Sequence, residues 1–183
     1  MRIITGHAKG IKLKTPRGLE TRPTADRVKE SVFNILGDAV WDALVLDLFA
    51  GTGNLGLEAL SRGARHAVFI DQSLNSVAII KENALHTKLA EHTEVHKDEV
   101  VRALAKMIRS GRLFDLVFCD PPYNQGLVAR VLQQMDENPV LVPGGIMVIE
   151  HSKHEIIAAE WKKLTVKRSE RYGETLMSFL TQC

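Results

Sequence analysis

Asp120-Pro121-Pro122-Tyr123 closes an apolar run, Phe114-Asp115-Leu116-Val117-Phe118-Cys119. Consecutive prolines fix their own φ, restrict the residue before each and donate no backbone hydrogen bond, so the tetrad reads as a stiff, extended turn with outward carbonyls. A carboxylate at its start, together with a proline carbonyl, can accept both hydrogens of an exocyclic amine while the tyrosine ring stacks on the base that carries it. Such an arrangement suits methyl transfer to an aryl amine. The nitrogen lone pair is delocalised into the ring, so a protein must orient it and stabilise the positive charge that develops. Orientation supplies up to roughly 7 to 11 kcal/mol in favourable systems, and preorganised electrostatics much of the rest. No metal and no covalent nucleophile is required.

A second constellation lies upstream. Leu46-Asp47-Leu48-Phe49-Ala50-Gly51-Thr52-Gly53-Asn54-Leu55-Gly56 places Gly51, Gly53 and Gly56 in the spacing G-x-G-x-x-G, and Asp71 follows eighteen residues after Gly53. The pattern suits a nucleotide whose ribose hydroxyls meet the acid. Asp47 decides between nucleotides. Near the anionic pyrophosphate of a dinucleotide a carboxylate is repelled, by of order 4 kcal/mol at 4 Å and an effective dielectric near 20, whereas S-adenosylmethionine brings a cationic sulfonium and an ammonium. A third acid, Asp98, follows Val95-His96-Lys97 and is placed to accept from an adenine amino group. The candidate cofactor residues are therefore Asp47, Phe49, Ala50, Gly51, Thr52, Gly53, Asp71 and Asp98; the candidate catalytic residues are Asp120, Pro121, Pro122 and Tyr123. Asp47 as a loop-capping acid and Asp98 as a helix cap are the competing structural readings.

The elements that must carry these residues alternate. Apolar runs at Leu44 to Leu48, Ala67 to Asp71, Thr93 to Lys97, Leu116 to Asp120 and Ile146 to Glu150 read as strands of a parallel sheet buried on both faces. Helices fall between them at about 54 to 62, 74 to 88, 99 to 109 and 126 to 137, and Pro143-Gly144-Gly145 reads as a turn feeding the fifth strand. The tail, Leu164 to Arg171 and Thr175 to Leu180 around Tyr172-Gly173-Glu174, reads as an antiparallel hairpin. In an open α/β sheet, ligands sit beyond the carboxyl ends of the strands, and that is where the acids fall. Before the sheet, Ile3-Ile4 and Ile11-Lys12-Leu13 flank turn residues Gly6 to Gly10 as a small hairpin without a core of its own. Thr24 is placed to cap a helix bearing Val28, Val32, Phe33, Ile35 and Leu36.

The chain has 183 residues and a formal net charge of +2, unevenly placed. Residues 1 to 30 hold eight basic and three acidic side chains, a net +5, which leaves the rest with 16 basic and 19 acidic, a net −3. A basic front on a mildly acidic body suits a polyanionic partner, and Lys9, Lys12, Lys14, Arg22, Thr24 and Arg27 are the candidate RNA contacts on a flexible basic arm. Cys119 and Cys183 have no paired spacing, so a disulfide framework and a zinc knuckle are excluded, and Cys119 reads as a packed thiol. His151 and His154 have no third ligand spaced to complete a metal site, and read as solvated or strand-end side chains. With no apolar stretch of spanning length and no signal-peptide core, the expectation is a cytoplasmic protein without a membrane partner or a metal, acting as a monomer. The tail cations Lys162, Lys163, Lys167, Arg168 and Arg171 read equally as guards of a strand edge and as a second RNA contact.

The glycine loop, the strand-end acids and the Asp-Pro-Pro-Tyr tetrad, in that order, resemble class I S-adenosylmethionine-dependent methyltransferases that modify exocyclic amines. More narrowly, Arg22-Pro23-Thr24-Ala25-Asp26-Arg27-Val28-Lys29-Glu30, then Asp47 to Gly53 and Gly56-Leu57-Glu58-Ala59-Leu60-Ser61-Arg62-Gly63, resemble the RsmD family over essentially the whole chain. The resemblance implies a Rossmann-like α/β fold with a seven-stranded, mostly parallel sheet whose last strand is antiparallel, plus the N-terminal β-hairpin. One methyltransferase domain would fill residues 1–183, with 1–22 as the basic extension and 23–183 as the catalytic core. It further implies transfer to N2 of guanine 966 of 16S rRNA in the assembling small ribosomal subunit, with Arg27 near the cofactor carboxylate or the RNA. A DNA adenine-N6 methyltransferase, a protein glutamine methyltransferase and a non-enzymatic RNA-binding chaperone are the rivals. The short segment before the core leaves no space for a DNA-recognition domain, and Asp120 stands where the glutamine enzymes usually have asparagine.

Overall fold

The computed structural model describes residues 1–16, 23–158 and 161–183. Strands β1 (Leu44–Leu48), β2 (His66–Asp71), β3 (Thr93–Lys97), β4 (Phe114–Cys119), β5 (Leu141–Ser152), β6 (Leu164–Tyr172) and β7 (Thr175–Gln182) form one sheet in the order β3-β2-β1-β4-β5-β7-β6. Pairing is parallel from β3 through β5, and β7 is antiparallel to both β5 and β6. The seven-stranded arrangement with its antiparallel last strand is as expected from the sequence. From β1 the chain winds outward through β2 to β3, then returns to β4 on the other side of β1. The strand order therefore reverses between β1 and β4, and a crevice opens beyond their carboxyl ends.

Helices α1 (Pro23–Leu36), α2 (Asn54–Ser61) and α3 (Leu74–His86) cover one face; α4 (Val100–Ser110) and α5 (Leu127–Glu137) cover the other. The two-residue period of β1 divides its side chains accordingly. Val45 joins the core under α1 to α3, while Leu46 and Leu48 join the core under α4 and α5. Asp47 therefore lies on the α1 to α3 face, in register with Phe69 of β2 and Phe118 of β4.

Three expectations change. The turn at Pro143-Gly144-Gly145 is a bulge inside β5: Phe114 pairs with Leu141 and Leu116 with Ile146, so residues 142–145 are accommodated opposite Asp115 alone. Helix α1 begins at Pro23, a favoured first helical residue, so Thr24 lies inside its first turn and not before it. The third change concerns the arm. Its strands do pair, with Arg2 opposite Lys12 and Ile3 N–H donating to Ile11 O at 3.0 Å, but the arm is not a coreless flap. Ile3, Ala8 and Leu13 are buried in the same core as α1 and α2. Gly6 allows this close seat: at φ +88°, a methyl group there would lie 1.7 Å from the Ser61 carbonyl oxygen.

Candidate active site

The loop from β1 to α2 turns with Phe49, Gly51 and Gly53 at φ of 60°, 57° and 78°. A left-handed phenylalanine costs about 1 to 3 kcal/mol and persists only where its surroundings enforce it. Here Asp71 holds the loop, accepting from Gly51 N–H at 2.9 Å and from Ser73 N–H at 2.8 Å. Phe49 and Asp71 then line a cleft of about 700 Å³, with Gln72, Ser73, Glu99 and Val100 along one wall and Asp120 to Tyr123 along the other.

Asp47 does not line that cleft. Its carboxylate is buried beneath the loop and accepts from Gly56 N–H at 2.9 Å. Burial between the aromatic neighbours pushes its pKa up to about 8, the Gly56 bond opposes this, and Asp71 adds to it. The loop-capping reading thus describes its contact. Gly56 is required by this packing, since a methyl there would meet the Phe69 ring at 2.3 Å. Ala50, Thr52 and Gly53 build the loop's underside: Ala50 N–H donates to Ile70 O at 3.0 Å, and Thr52 O accepts from the buried Asn83 amide at 2.9 Å. Asp98 is likewise turned from the cleft. Lys106 at 2.7 Å and Arg102 hold it, with Glu99 N–H at 2.9 Å, and the Lys106 ammonium leads in lowering its pKa to about 2. Its neighbours Glu99 and Val100 occupy the cleft wall in its place.

Asp120 stands between two cavities. It lines the larger cleft and also a cavity of about 320 Å³ enclosed by α1, the start of α2 and the β5 and β7 ends. Its side chain reaches open space, yet the surrounding strand ends remove most of its bulk solvent. That desolvation, reinforced by Glu150 and Asp47, raises its pKa well above the carboxylate range. Pro121 is buried and Pro122 exposed. Tyr123 lines the larger cleft and donates to Glu150 Oε1 at 2.5 Å, with Thr175 Oγ1 at 3.0 Å. Burial first, then the Glu150 bond, raises the phenol pKa. Three carboxyl groups, Asp47, Asp120 and Glu150, therefore gather where a cation would relieve their mutual repulsion.

The basic arm divides into engaged and available residues. Lys29 is buried: its ammonium reaches Glu58 Oε2 at 3.0 Å, Arg2 O at 2.6 Å and Asn54 Oδ1 at 2.7 Å, so it is withdrawn from the front's outward charge. Lys14 pairs with Glu82, and Arg2 with Asp26 at 3.1 Å. Lys9, Lys12 and Arg27 are exposed and make no ion pair among the described residues; Lys9 and Arg27 share a polar groove of about 530 Å³ between the arm and α1. Arg22 lies outside the described residues. Glu58 and Asn83, both fully buried, were not foreseen. Glu58 also accepts from Ile4 N–H at 2.8 Å and Thr5 N–H at 3.1 Å, and Asn83 Oδ1 accepts from Lys14 N–H at 2.7 Å. An acid within the otherwise apolar Gly56-Leu57-Glu58-Ala59-Leu60 was the available signal. Cys119 is a buried thiol whose pKa burial raises, as expected of a packed side chain. His151 caps the β5 end but is buried against Ser178 Oγ at 2.9 Å and not solvated, and no cluster of metal ligands occurs among the described residues.

A family model described as "Conserved hypothetical protein 95" matches residues 1–181. The chain belongs to this family. It is the RsmD family that the motifs resemble. The "Putative rRNA methyltransferase YlbH" of Bacillus subtilis is 38% identical over 175 residues, spanning 96% of this chain and 95% of that protein. "Ribosomal RNA small subunit methyltransferase D" of Escherichia coli is 35% identical over 150 residues, 82% of this chain and 74% of its own length. Among solved structures, "Putative methyltransferase yhhF from Escherichia coli" superposes with a TM-score of 0.88 at 32% identity, covering 100% of this chain and 97% of that one. An RNA methyltransferase from Salinibacter ruber, solved in complex with S-adenosyl-L-homocysteine, shares the fold at a TM-score of 0.67 and 15% identity, covering 90% of this chain and 94% of that one. The fold is that of the class I methyltransferases.

Proposed function

We propose that this chain transfers the methyl group of S-adenosylmethionine to the exocyclic N2 of a guanine in 16S rRNA, guanine 966, in the assembling small ribosomal subunit. The observation that carries the reading is Asp120, held by the Pro121-Pro122 turn as the partition between two cavities at the point where the strand order reverses. The family, with its ribosomal RNA small-subunit relatives, narrows the substrate.

The larger cleft fits the cofactor. Asp71, its carboxylate fixed by two backbone N–H groups, faces the cleft as an acceptor for ribose hydroxyls, and Gln72, Ser73, Glu99 and Val100 flank the adjoining wall for the adenine. When bound, S-adenosylmethionine supplies an electrophilic methyl on a cationic sulfonium. The gathered carboxyl groups favour such a cation, and its charge in turn favours their ionised forms. Asp120 and the Pro121 carbonyl then accept from the amine and orient its lone pair toward the cleft. As the N–C bond forms and the S–C bond breaks, they stabilise the charge developing on nitrogen. Tyr123, whose hydroxyl reaches Glu150 and Thr175 at the wall of the smaller cavity, stands where the two spaces meet and keeps a ring face for the base. Lys9, Lys12 and Arg27 meet RNA phosphates, and Lys14 adds to them once Glu82 releases it. Within this reading, residues 1–183 act as one domain, because the arm is built onto the helix that follows the glycine loop.

Labelled methyl incorporation into purified small-subunit particles tests the proposal. Wild type labels the RNA, and Asp120→Ala lowers the rate by at least about a hundredfold. No incorporation by wild type into particles or their assembly intermediates overturns it.

A further inference from the structure

The smaller cavity has a chemistry that the catalytic turn alone does not explain. Asn54, Leu55, Asp120, Glu150, Tyr172 and Thr175 are among its lining residues, and at about 320 Å³ it is at the small end of the ligand-pocket range. Two of them are carboxylates, on neighbouring strands: Cys119 pairs with Ile149, so Asp120 and Glu150 are the next residues at the same end of β4 and β5. Of the cations that line it, Lys29 is already held by Glu58 at 3.0 Å, Arg2 O at 2.6 Å and Asn54 Oδ1 at 2.7 Å, and the chain's first residue, Met1, borders the same space. On the side of β4 and β5, a ligand entering this cavity is met by the acceptors of Asp120 and Glu150. Glu150 is also oriented. Tyr123 donates to its Oε1 at 2.5 Å, whereas its Oε2 has no hydrogen-bond partner among the described residues.

Resting on the reading of function above, we infer that this cavity receives the acceptor purine and that Glu150 reads it as guanine. An ionised carboxylate only accepts hydrogen bonds. Guanine places a ring N1–H donor beside its exocyclic N2 amine, while adenine and cytosine place a ring-nitrogen lone pair beside theirs. With the amine on Asp120, a guanine N1–H falls toward Glu150 on the adjacent strand. The other two bases would turn a lone pair against its charge. Glu150 is thus a specificity-determining residue, positioned by Tyr123 and distinct from the residues that hold the amine. Position also favours the smaller cavity for the base, since in-line displacement needs the nucleophile to approach from the side opposite the departing sulfur, and Asp120 divides the two spaces.

The test uses 2-aminopurine, which keeps the 2-amino group but lacks the N1 hydrogen. Small-subunit particles are assembled with either guanine or 2-aminopurine at the methylated position, and kcat/KM is compared. Wild type favours guanine by about 10- to 100-fold, the worth of one hydrogen bond to a charged acceptor. Glu150→Gln, whose amide both donates and accepts, narrows that ratio to within a few-fold. Its affinity for S-adenosylhomocysteine stays within about twofold of wild type, which reports an intact fold and an intact cofactor cleft. Equal use of the two bases by wild type, which involves no substitution at all, overturns the inference and leaves the proposed function standing. A wild-type ratio retained by Glu150→Gln does the same. Absence of any transfer to the guanine particle overturns the proposed function and this inference with it.

Discussion

Replacing Asp47 by asparagine tests whether this acid is a buried, neutral strut when no ligand is bound. Its carboxyl accepts from Gly56 N–H at 2.9 Å, and burial raises its pKa from 3.8 to about 8. The folded protein therefore keeps a proton that the unfolded chain releases above pH 4. Stability from this group is complete below the unfolded pKa and is lost as pH rises through the folded one, at about 1.4 kcal/mol per unit. Between pH 5 and pH 8 the loss is roughly 4 kcal/mol, a large share of a typical folding free energy of about 5 to 15 kcal/mol. Asparagine matches the shape of the protonated acid and keeps an oxygen for Gly56 N–H, but leaves an amide to satisfy at about 1 to 3 kcal/mol. Urea unfolding of the unliganded protein at pH 5 and pH 8.5 reads the outcome. Asp47→Asn is the less stable protein at pH 5 and the more stable at pH 8.5, and the difference between the two proteins swings by roughly 4 kcal/mol in total. Asp120, raised in both proteins, largely cancels. Parallel pH profiles, within about 1 kcal/mol of each other, would refute the reasoning and mean that Asp47 is ionised in the folded state.

The other predictions concern the arm and the cleft. Gly6→Ala drives a methyl against the Ser61 carbonyl at a left-handed φ, so the arm detaches; limited proteolysis within residues 1–16 accelerates while the core resists. Glu58→Gln removes the charge facing both Lys29 and Arg62 in a fully buried setting and costs about 3 to 5 kcal/mol in urea unfolding, of which Lys29→Met in the same background restores a part, Arg62 remaining without its acid. Asp71→Ala frees Gly51 N–H and Ser73 N–H and removes the ribose acceptor. Calorimetric affinity for S-adenosylhomocysteine falls by about 10- to 100-fold, with less change in the unfolding midpoint than Glu58→Gln produces.

Much of this molecule was legible in its sequence, for reasons that particular elements make plain. Strand β1 was read at its observed limits because a strand buried on both faces is a short apolar run bounded by turn residues or charges. Asp120 to Tyr123 was legible because proline restricts local backbone regardless of tertiary context. What could not be read depends on contacts between distant segments. Asp47 follows β1's alternation onto the α1 to α3 face, and only the register with Phe69 and Phe118 shows that it is buried. The front's +5 treats every cation alike, whereas Lys29 is consumed by an acid 29 residues away on α2. Glu150 was within reach, since it follows the apolar run Ile146 to Ile149 as Asp71 follows Ala67 to Ile70. Its partner, Tyr123, is 27 residues away, and that bond gives the acid its place in the site.

The central claim, that Asp120 presents a guanine amine to a methyl donor, is tested most directly by the identity of the methylated nucleoside. Small-subunit particles from cells lacking the enzyme are incubated with wild-type protein and S-adenosylmethionine, and the RNA is digested and analysed by mass spectrometry. The account predicts N2-methylguanosine, absent with Asp120→Ala. N6-methyladenosine, or a methylated guanosine still produced at the wild-type rate by Asp120→Ala, would contradict it.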